Sequence, residues 1–331
     1  MKGIESLAAC SAIIGAIALI GPFSRAQAAT RSVCKSGCEY TRINAAIEAA
    51  SNGDTISIAA GTYFENVVVS GKNLTINGYS EDYTVIDGGF QGTTLTITGE
   101  SSTTNSVTLN KLTLTHGSAS GLSINSAAVT LYKVVVISNV AANNGAGAGA
   151  GILALDSNVT MSQSIVAHNR APTGQGGGIS ADRTAVIGSN ITITNSDIFD
   201  NSALNGGGVY IGPLSTITMT SSTLTSNGAK LGAGAYIGAF RHFSVEETGF
   251  LTFDSSTMAN NHADDSGGGI YVTIEDDGGS FDHSFIVGNR AGITGGGISL
   301  PEDGSVTLTD TTVAGNSPNN CSGINGGQAC P

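Results

Sequence analysis

This 331-residue sequence has no tryptophan, only 6 prolines, and few charged residues (11%). Soluble globular domains usually carry about 25% charged residues. It also lacks long runs of like charge and proline-rich or glutamine-rich segments, so a disordered chain is not expected. Basic residues number 13 against 25 acidic ones, and the resulting net charge of −12 argues against nucleic acid as a partner.

Long hydrophobic runs are missing except at the N-terminus. Residues 7–20 are apolar, Lys2 precedes them, and Ala26, Gln27 and Ala28 follow as an A-x-A cleavage pattern. This arrangement predicts a secretory signal peptide at residues 1–28, with no transmembrane segment after its removal. We expect an exported protein that is extracellular, on the cell surface, or in the periplasm or outer membrane.

Cysteine is rare. Cys10 belongs to the predicted signal, and the other four cysteines form two close pairs, Cys34 with Cys38 and Cys321 with Cys330. In an oxidising compartment this spacing predicts two local disulfides. The alternative is a zinc site, but it needs four ligands gathered from both ends of the chain, which an elongated fold does not allow.

Glycine is abundant, with 47 residues, and it recurs in triplets. The last glycines of successive triplets lie at steps of 27, 30, 26, 35 and 28 residues: Gly151, Gly178, Gly208, Gly234, Gly269 and Gly297. Between triplets, apolar residues alternate with Thr and Ser, which is typical of strands. About 28 residues fit three short strands, whereas a propeller blade needs about 40 to 45. The repeat predicts an all-β, three-faced parallel β-helix.

Each repeat also contains an asparagine at an equivalent position. Stacked coils would align these side chains in a ladder at one turn, where Asn tolerates left-handed backbone: Asn139, Asn169, Asn201, Asn227, Asn261, Asn289 and Asn316. Ile43, Ala46, Ile47 and Ala50 define one face of a helix that would cap the solenoid. We expect an N-terminal cap at 29–54, a β-helix at 55–316 and a C-terminal disulfide cap at 317–331.

The stretch Gly61-Thr62-Tyr63-Phe64-Glu65-Asn66-Val67 resembles the N-terminal coils of the pectin-lyase-like superfamily, whose pectin methylesterases carry a similar G-x-Y-x-E-x-V segment. The later glycine repeats resemble the polymorphic outer-membrane protein repeat. The resemblance implies a single-stranded right-handed parallel β-helix with an N-terminal capping helix. It implies no particular activity, because both groups include enzymes, adhesins and proteins of other roles. The esterases' paired Asp and downstream Arg stretches have no counterpart.

In three successive repeats, a tyrosine lies two positions after the last glycine of the triplet. Tyr210, Tyr236 and Tyr271 should therefore form a column on an outer face, where aromatic rings can stack on sugars. The alternative is structural, since tyrosine suits an exposed strand position and stacked neighbours stabilise one another.

Acidic residues cluster around the fifth triplet. Asp264, Asp265, Asp276 and Asp277 are the candidate ligands for Ca²⁺, which takes oxygen ligands and which pectate lyases of similar fold bind through carboxylates. Solvated acidic turns are the alternative. We expect no required cofactor.

The longest step contains an aromatic insertion, residues 240–250, with Arg241 and His242 as candidate ligand contacts. Insertions on one coil are where solenoids place function. A catalytic use of Arg170 and Arg290 is disfavoured, because three coils separate these equivalent positions.

Taken together, the sequence favours an exported, adhesin-like binding module for polysaccharide or another surface ligand. The alternative is a polysaccharide lyase or hydrolase with its site near the tyrosines and the insertion. The sequence leaves catalysis undecided and leans toward a protein that is not an enzyme.

Overall fold

The computed structural model describes residues 27–100, 105–141, 149–184, 187–242, 245–273, 277–301 and 304–323, with the backbone alone for residues 239–248 and 277. The predicted signal peptide therefore lies almost wholly outside the described residues. The described chain is a solenoid of parallel strands in which the same positions of successive coils lie side by side, as predicted.

One coil illustrates the path. It runs through Ile152–Leu155 of sheet B, Asn158–Ser162 and Ile165–Ala167 of sheet A, and Arg170–Gln175 of sheet C. It then enters sheet B again at Ile179–Asp182. The chain bends within sheet A, which consequently has two rows of strands, named here row A1 and row A2. The predicted three faces are confirmed as sheets A, B and C.

Sheet A contains 19 strands. Row A1 comprises Thr30–Val33, Thr55–Ile58, Leu74–Gly78, Asn158–Ser162, Asn190–Thr194, Thr216–Thr220, Phe250–Asp254, Asp277–Asp282 and Ser305–Thr309. Row A2 comprises Gly61–Phe64, Thr84–Asp87, Ile165–Ala167, Asp197–Phe199, Thr223–Thr225, Thr257–Ala259, Phe285–Val287 and Thr312–Ala314. Two long strands cross both rows, Ser106–Thr115 and Ala128–Ile137.

Sheet B contains ten strands and sheet C five. The strands of sheet B are Val67–Ser70, Leu95–Thr98, Leu122–Asn125, Ile152–Leu155, Ile179–Asp182, Val209–Ile211, Ala235–Ile237, Ile270–Val272, Ile298–Ser299 and Cys321–Ser322. Those of sheet C are Arg170–Gln175, Ser202–Asn205, Gly228–Leu231, His262–Ser266 and Arg290–Ala291. A separate antiparallel hairpin pairs Ala239–His242 with Val245–Thr248.

The core is a set of stacked aliphatic side chains, because alternate residues of every strand point inward. Ile152, Ile179, Val209, Ala235, Ile270 and Ile298 form one such stack in sheet B, and all are buried. Phe253 and Phe281 add an aromatic pair with ring centroids 5.9 Å apart. The interior therefore repeats from coil to coil, as the period of the sequence predicts.

The glycine triplets form the corner between sheets C and B. The first glycine has positive φ, for example Gly206 at 65°. The third lies against the interior: a Cβ at Gly208 would be 2.4 Å from Leu224 Cδ1 and 2.9 Å from Asn227 Nδ2. These contacts explain why the triplet recurs, since a side chain there meets either backbone strain or a packed core.

The corner between sheet B and row A1 varies most in length. It has two residues in one coil (156–157), four in another (212–215), and twelve where the hairpin is inserted (238–249). The long step seen in the sequence is therefore an insertion that leaves the register of the flanking strands unchanged.

The predicted asparagine ladder is confirmed at the corner between row A2 and sheet C. The main-chain N–H and Nδ2 of Asn201 both donate to Asn227 Oδ1, at 3.0 and 3.1 Å. The same two bonds join each ladder asparagine from Asn139 onward to the next, and the last rung is Asn320.

One detail of the ladder prediction is wrong. The ladder asparagines do not have the left-handed backbone; the residue before each of them does, for example His168 (φ 55°) and Asp200 (φ 52°). The tight turn is made by this preceding residue. The asparagine is thereby turned inward, where its amide is buried.

Two serine ladders, which sequence analysis did not find, repeat this bonding at other corners. Along the bend between rows A1 and A2, Ser196 N–H donates to Ser222 Oγ at 3.2 Å, and Ser222 N–H to Ser256 Oγ at 3.0 Å. Between sheet B and row A1, Ser157 N–H donates to Ser189 Oγ at 3.1 Å. Buried oxygens thus satisfy the corner N–H groups that the strand ladders leave over.

The N-terminal cap contains the helix Ile43–Ala49, which buries Ile43, Ala46 and Ile47 as predicted. Glu65 of the G-x-Y-x-E-x-V segment caps this helix: its carboxylate accepts from Ile43 N–H at 2.8 Å and Asn44 N–H at 3.2 Å. The G-x-Y-x-E-x-V segment therefore has a structural role here, because a carboxylate satisfies free N–H groups at a helix start.

The Cys34–Cys38 disulfide is confirmed, with the two Cα atoms 5.6 Å apart. Cys321 is also disulfide-bonded, while its predicted partner Cys330 lies outside the described residues. Within the described ranges, no helix is long and apolar enough to span a membrane.

We expect Asn227→Ala to destabilise the protein by about 3 kcal/mol, because it leaves the buried main-chain N–H of Asn201 without its acceptor and removes the amide bonds to Ile198 and Asn261. The matched control is Asn158→Ala, an exposed asparagine of row A1, which should change stability by less than about 0.5 kcal/mol. Denaturant unfolding measures both. Equal losses in the two variants would contradict a stabilising ladder.

We expect Gly208→Ala to lower stability by about 1 to 3 kcal/mol, since the new methyl group overlaps Leu224 and the Gly234 carbonyl oxygen. Gly228→Ala is the control, because its nearest neighbour would be the His262 carbonyl oxygen at 3.9 Å. Thermal unfolding of both proteins tests this pair. A Gly208 variant as stable as the Gly228 variant would refute the packing argument.

Candidate functional site

The three tyrosines form the predicted column on the outward side of sheet B. Tyr210, Tyr236 and Tyr271 occupy matching register positions. Their rings are stacked, with centroids 5.5 Å apart at both steps and interplanar angles of 18° and 17°. Strand spacing sets this distance, because each ring is attached to a strand about 4.8 Å from the next.

The column is not the solvated face that alternation predicted. Tyr210 is only 6% exposed, and Tyr236 and Tyr271 are half-buried. The triplet corner folds back over the start of each strand: a Cβ at Gly206 would lie 3.0 Å from Tyr210 Cα. Burial raises the pKa of Tyr236 to about 12 and raises that of Tyr210 further, so both phenols stay protonated near neutral pH.

Polar groups surround the Tyr210 end of the column. Gln175, the last residue of its sheet C strand, has a side chain near the Tyr210 phenol that lowers its pKa, and the Asp182 carboxyl is close enough to raise the pKa of Tyr210 electrostatically. Ser180 occupies the register position next to Tyr210. Its hydroxyl is fully buried and has no hydrogen-bond partner in the described structure.

Asp182 is the unusual acid of this region. Its Oδ1 accepts from Arg183 N–H at 2.9 Å. A Cβ at Gly212 would come too close to that carboxylate, so the absence of a side chain at Gly212 makes room for it. Burial, the largest influence, raises the pKa of Asp182, and neighbouring Asp156 raises it further. A carboxyl of raised pKa beside a phenol is suited to proton transfer.

The predicted calcium ligands are divided between two sheets. Asp264 and Asp265 lie on the sheet C strand His262–Ser266, whereas Asp277 begins a strand of row A1. The sheet B strand Ile270–Val272 runs between them, and Asp276 lies outside the described residues. Asp264 is exposed, with a carboxylate oxygen 3.8 Å from His262 Nε2. A calcium site of these residues stays a prediction.

A different set of metal-ligand types meets on sheet A. Asp254, Asp282 and His283 each place one ligand atom within 4.8 Å of the others. His283 Nδ1 is 2.8 Å from Asp282 Oδ1, and His283 Nε2 is 3.6 Å from Asp310 Oδ2. The sequence did not predict a site from these three residues together, because strand register brings together acids that lie 28 positions apart.

Arg241 and His242 lie in the hairpin that follows the Tyr236 strand. Their side chains are outside the described part of the chain, so their role as ligand contacts stays a prediction. Arg170 and Arg290 occupy equivalent positions of sheet C, with Ser202, Gly228 and His262 between them. This register agrees with the expectation that the two arginines cannot act on one bond.

Sequence analysis missed Gln175, Asp182 and Asp156 as neighbours of the tyrosines, whereas alternation already places Ser180 in their column. Asp182 and Ser180 alternate on the strand Ile179–Asp182, so both point to the side that Tyr210 occupies in the next coil. Following the Ser180 strand two residues further would have found Asp182. The position of Gln175 near Tyr210 could not be predicted in this way, because it depends on how sharply the triplet corner turns.

A family model described as the right handed beta helix region matches residues 76–250. The match covers more than half of the sequence, and the chain belongs to this family. No curated relative matches the sequence significantly. The likeness of the glycine repeats to the polymorphic outer-membrane protein repeat stays a prediction.

Solved structures share the fold at low identity. An alginate lyase from Paenibacillus sp. str. FPU-7 is 12% identical over 87% of this chain and 97% of its own, with a TM-score of 0.52. A pectin methylesterase from Aspergillus niger is 14% identical over 91% and 90%, at 0.48. The carrot pectin methylesterase is 11% identical over 93% and 85%, at 0.45. At these identities the likeness concerns the fold alone.

Asp182→Asn should alter how stability depends on pH. A raised folded-state pKa means that the stabilising contribution of Asp182 is complete below the ordinary value of 3.8 and is lost as the pH rises through the raised pKa. The wild-type protein should therefore lose stability relative to the variant across that interval. Denaturant unfolding at a series of pH values measures the difference, and the exposed Asp82→Asn variant controls for the removed charge. Parallel profiles for wild type and Asp182→Asn would contradict a raised pKa at Asp182.

Proposed function

We propose that this protein is an exported polysaccharide-binding module, adhesin-like in role, and that the end of the tyrosine column at Tyr271 contacts the sugar. The observation that carries this proposal is the stacking of three tyrosines in register on sheet B. Aromatic rings fixed in this way offer a flat apolar surface without further loss of side-chain freedom on binding.

Stacking decides which part of the column is available. Both faces of the Tyr236 ring are occupied by neighbouring tyrosines. Among the described residues, Tyr271 has an aromatic neighbour on one side only, because the next register position is Ser299. A pyranose ring fits against that second face, while the edges and hydroxyls of the half-buried tyrosines supply hydrogen bonds.

Export is supported by the signal-like N-terminus and by the disulfide between Cys34 and Cys38, since disulfides persist mainly in oxidising compartments. Polysaccharide as the ligand class is supported by the tyrosine surface and by the existence of an alginate lyase on the same fold. The net charge of −12 favours a neutral glycan, or an acidic one only with a bridging cation.

A second candidate function is cleavage of a polysaccharide by a lyase or hydrolase reaction. The observation that favours it is the raised pKa of Asp182 beside Tyr210 and Asp156. A protonated carboxyl at this position could donate to a leaving oxygen, with a phenol or carboxylate as the second group. This candidate requires the substrate to reach the buried end of the column.

Affinity electrophoresis of the purified protein in gels containing pectate, alginate or a neutral glycan, with and without Ca²⁺, tests the proposal. Retardation is expected in at least one gel. Tyr271→Ala should weaken that binding by about 3- to 10-fold, which corresponds to about 0.5–1.5 kcal/mol of lost ring contact. Tyr79→Ala is the matched control, because Tyr79 is exposed on a different part of the solenoid.

The same polysaccharides, incubated with the protein and analysed for shortened products, separate the two candidates. Retardation without products supports the binding module. Products that disappear in Asp182→Asn support the enzyme instead. Absence of retardation in every gel, or equal weakening by the Tyr271 and Tyr79 substitutions, would refute binding at Tyr271.

A further inference from the structure

Row A1 carries an unbroken column of hydroxyl side chains along the whole solenoid. Eleven successive strands place a threonine or serine at one register position: Thr30, Thr55, Thr75, Thr108, Thr130, Thr160, Thr192, Thr218, Thr252, Ser280 and Thr307. All of them point outward and are exposed or half-buried. At about 4.8 Å per coil, the column is about 48 Å long.

Strand preference alone does not account for this uniformity. Threonine suits any exposed strand position, so the other outward columns should look alike if preference were the only cause. They do not: the sheet B column includes Val68, Leu153 and Tyr210. The row A2 column includes Ile165 and Asp197. Of these columns, only the central column of row A1 keeps hydroxyl side chains throughout the described chain.

The hydroxyls of this column are available to solvent. Within the part of the chain that the structure describes, none of them has a protein hydrogen-bond partner. Neighbouring columns are bonded internally instead: Thr216 Oγ1 donates to Asn190 Oδ1 at 2.7 Å, and Asn190 Nδ2 to Asn158 Oδ1 at 3.2 Å. The threonine column therefore takes its hydrogen bonds from water.

The central part of row A1 is also free of charge. Three coils present nine outward residues in a regular array, and all nine are uncharged and polar: Asn158, Thr160, Ser162, Asn190, Thr192, Thr194, Thr216, Thr218 and Thr220. Neighbouring positions are about 4.8 Å apart between coils and about 6.7 Å apart along a strand. Ionisable groups border the array on both sides: Tyr132, followed by Lys133, occupies the register position of Ser162 in the preceding coil, and Asp254 and Asp282 continue the Thr220 position in the following coils.

We propose that row A1 is an ice-binding surface, with the lattice of an ice crystal as its ligand. Threonine combines a methyl group, which restricts the orientation of nearby water, with a hydroxyl that holds water in place. The array of side chains on row A1 repeats in two directions, and both repeat distances are close to the oxygen–oxygen repeats of hexagonal ice. Water ordered on the array therefore joins the crystal with little rearrangement.

The charge and aromatic content of row A1 distinguish ice from a polysaccharide as its ligand. Ionised side chains orient water in a way that does not fit the neutral ice lattice, and the central array has none. Polysaccharide surfaces instead use aromatic rings, which this protein places on sheet B, whereas the nine-residue array contains no aromatic residue. Ice is thus the occupant that fits an uncharged, regular hydroxyl array.

Thermal hysteresis, the gap between the melting and freezing points of a single ice crystal, tests the proposal with the full-length protein after export. The wild-type protein should show hysteresis and should enter growing ice. Thr192→Lys places a long cation in the centre of the array and should abolish most of the effect. Thr96→Lys makes the same change on an outward position of sheet B and should leave it intact. Circular dichroism confirms the fold of each variant.

Thr192→Ser serves as a gentler substitution, since it keeps the hydroxyl and removes one methyl group; it should reduce the hysteresis partially and is expected to fold. Three results would overturn the proposal: no hysteresis and no entry into ice by the wild-type protein, equal loss in Thr192→Lys and Thr96→Lys, or wild-type hysteresis in both Thr192 variants. Binding to crystalline cellulose that is sensitive to Thr192→Lys, without ice activity, would assign the surface to a polysaccharide instead.

Discussion

From Asn139 onward, each coil of this solenoid is fixed to the next by buried side-chain oxygens that accept main-chain N–H groups at the corners. Strand pairing satisfies the straight segments, but a corner interrupts it and would leave N–H groups buried without partners. The amide ladder from Asn139 to Asn320 and the two serine ladders fill that gap. Uniform stacking, the tyrosine column and the threonine array all depend on it, because any slip of register would displace them together.

The fold could be predicted from the sequence because a solenoid repeats the same local structure in every coil. Each corner needs the same residue types, so Gly208 and Asn227 have counterparts at a fixed step, and their spacing reveals the architecture. The serine ladders were missed because serine is common in this sequence and its positions at the bends do not differ visibly from exposed strand serines. Ser196 and Ser222 differ from such residues only in burial.

The candidate site could be predicted only in part, for a related reason. Alternation indicates which side of a strand Tyr210 occupies, but it does not indicate how far a neighbouring corner extends over that side. The tyrosines were therefore aligned correctly and their exposure was overestimated. Asp182 was missed because its altered pKa arises from burial and from Asp156 in the preceding coil, neither of which is visible in local sequence. Burial of a side chain by a neighbouring corner can be determined only from the three-dimensional structure.

The corner between sheet B and row A1 determines where the chain tolerates insertions and deletions. It ranges from two residues at 156–157 to twelve at 238–249, while the strands on either side keep their register. Insertions and deletions at this one junction are therefore nearly independent of folding, since the flanking strands keep their pairing whatever the length of the corner. Selection can change the loops that border the tyrosines without disturbing the solenoid. The same junction is the natural place to graft a foreign recognition loop or to add whole coils by duplication.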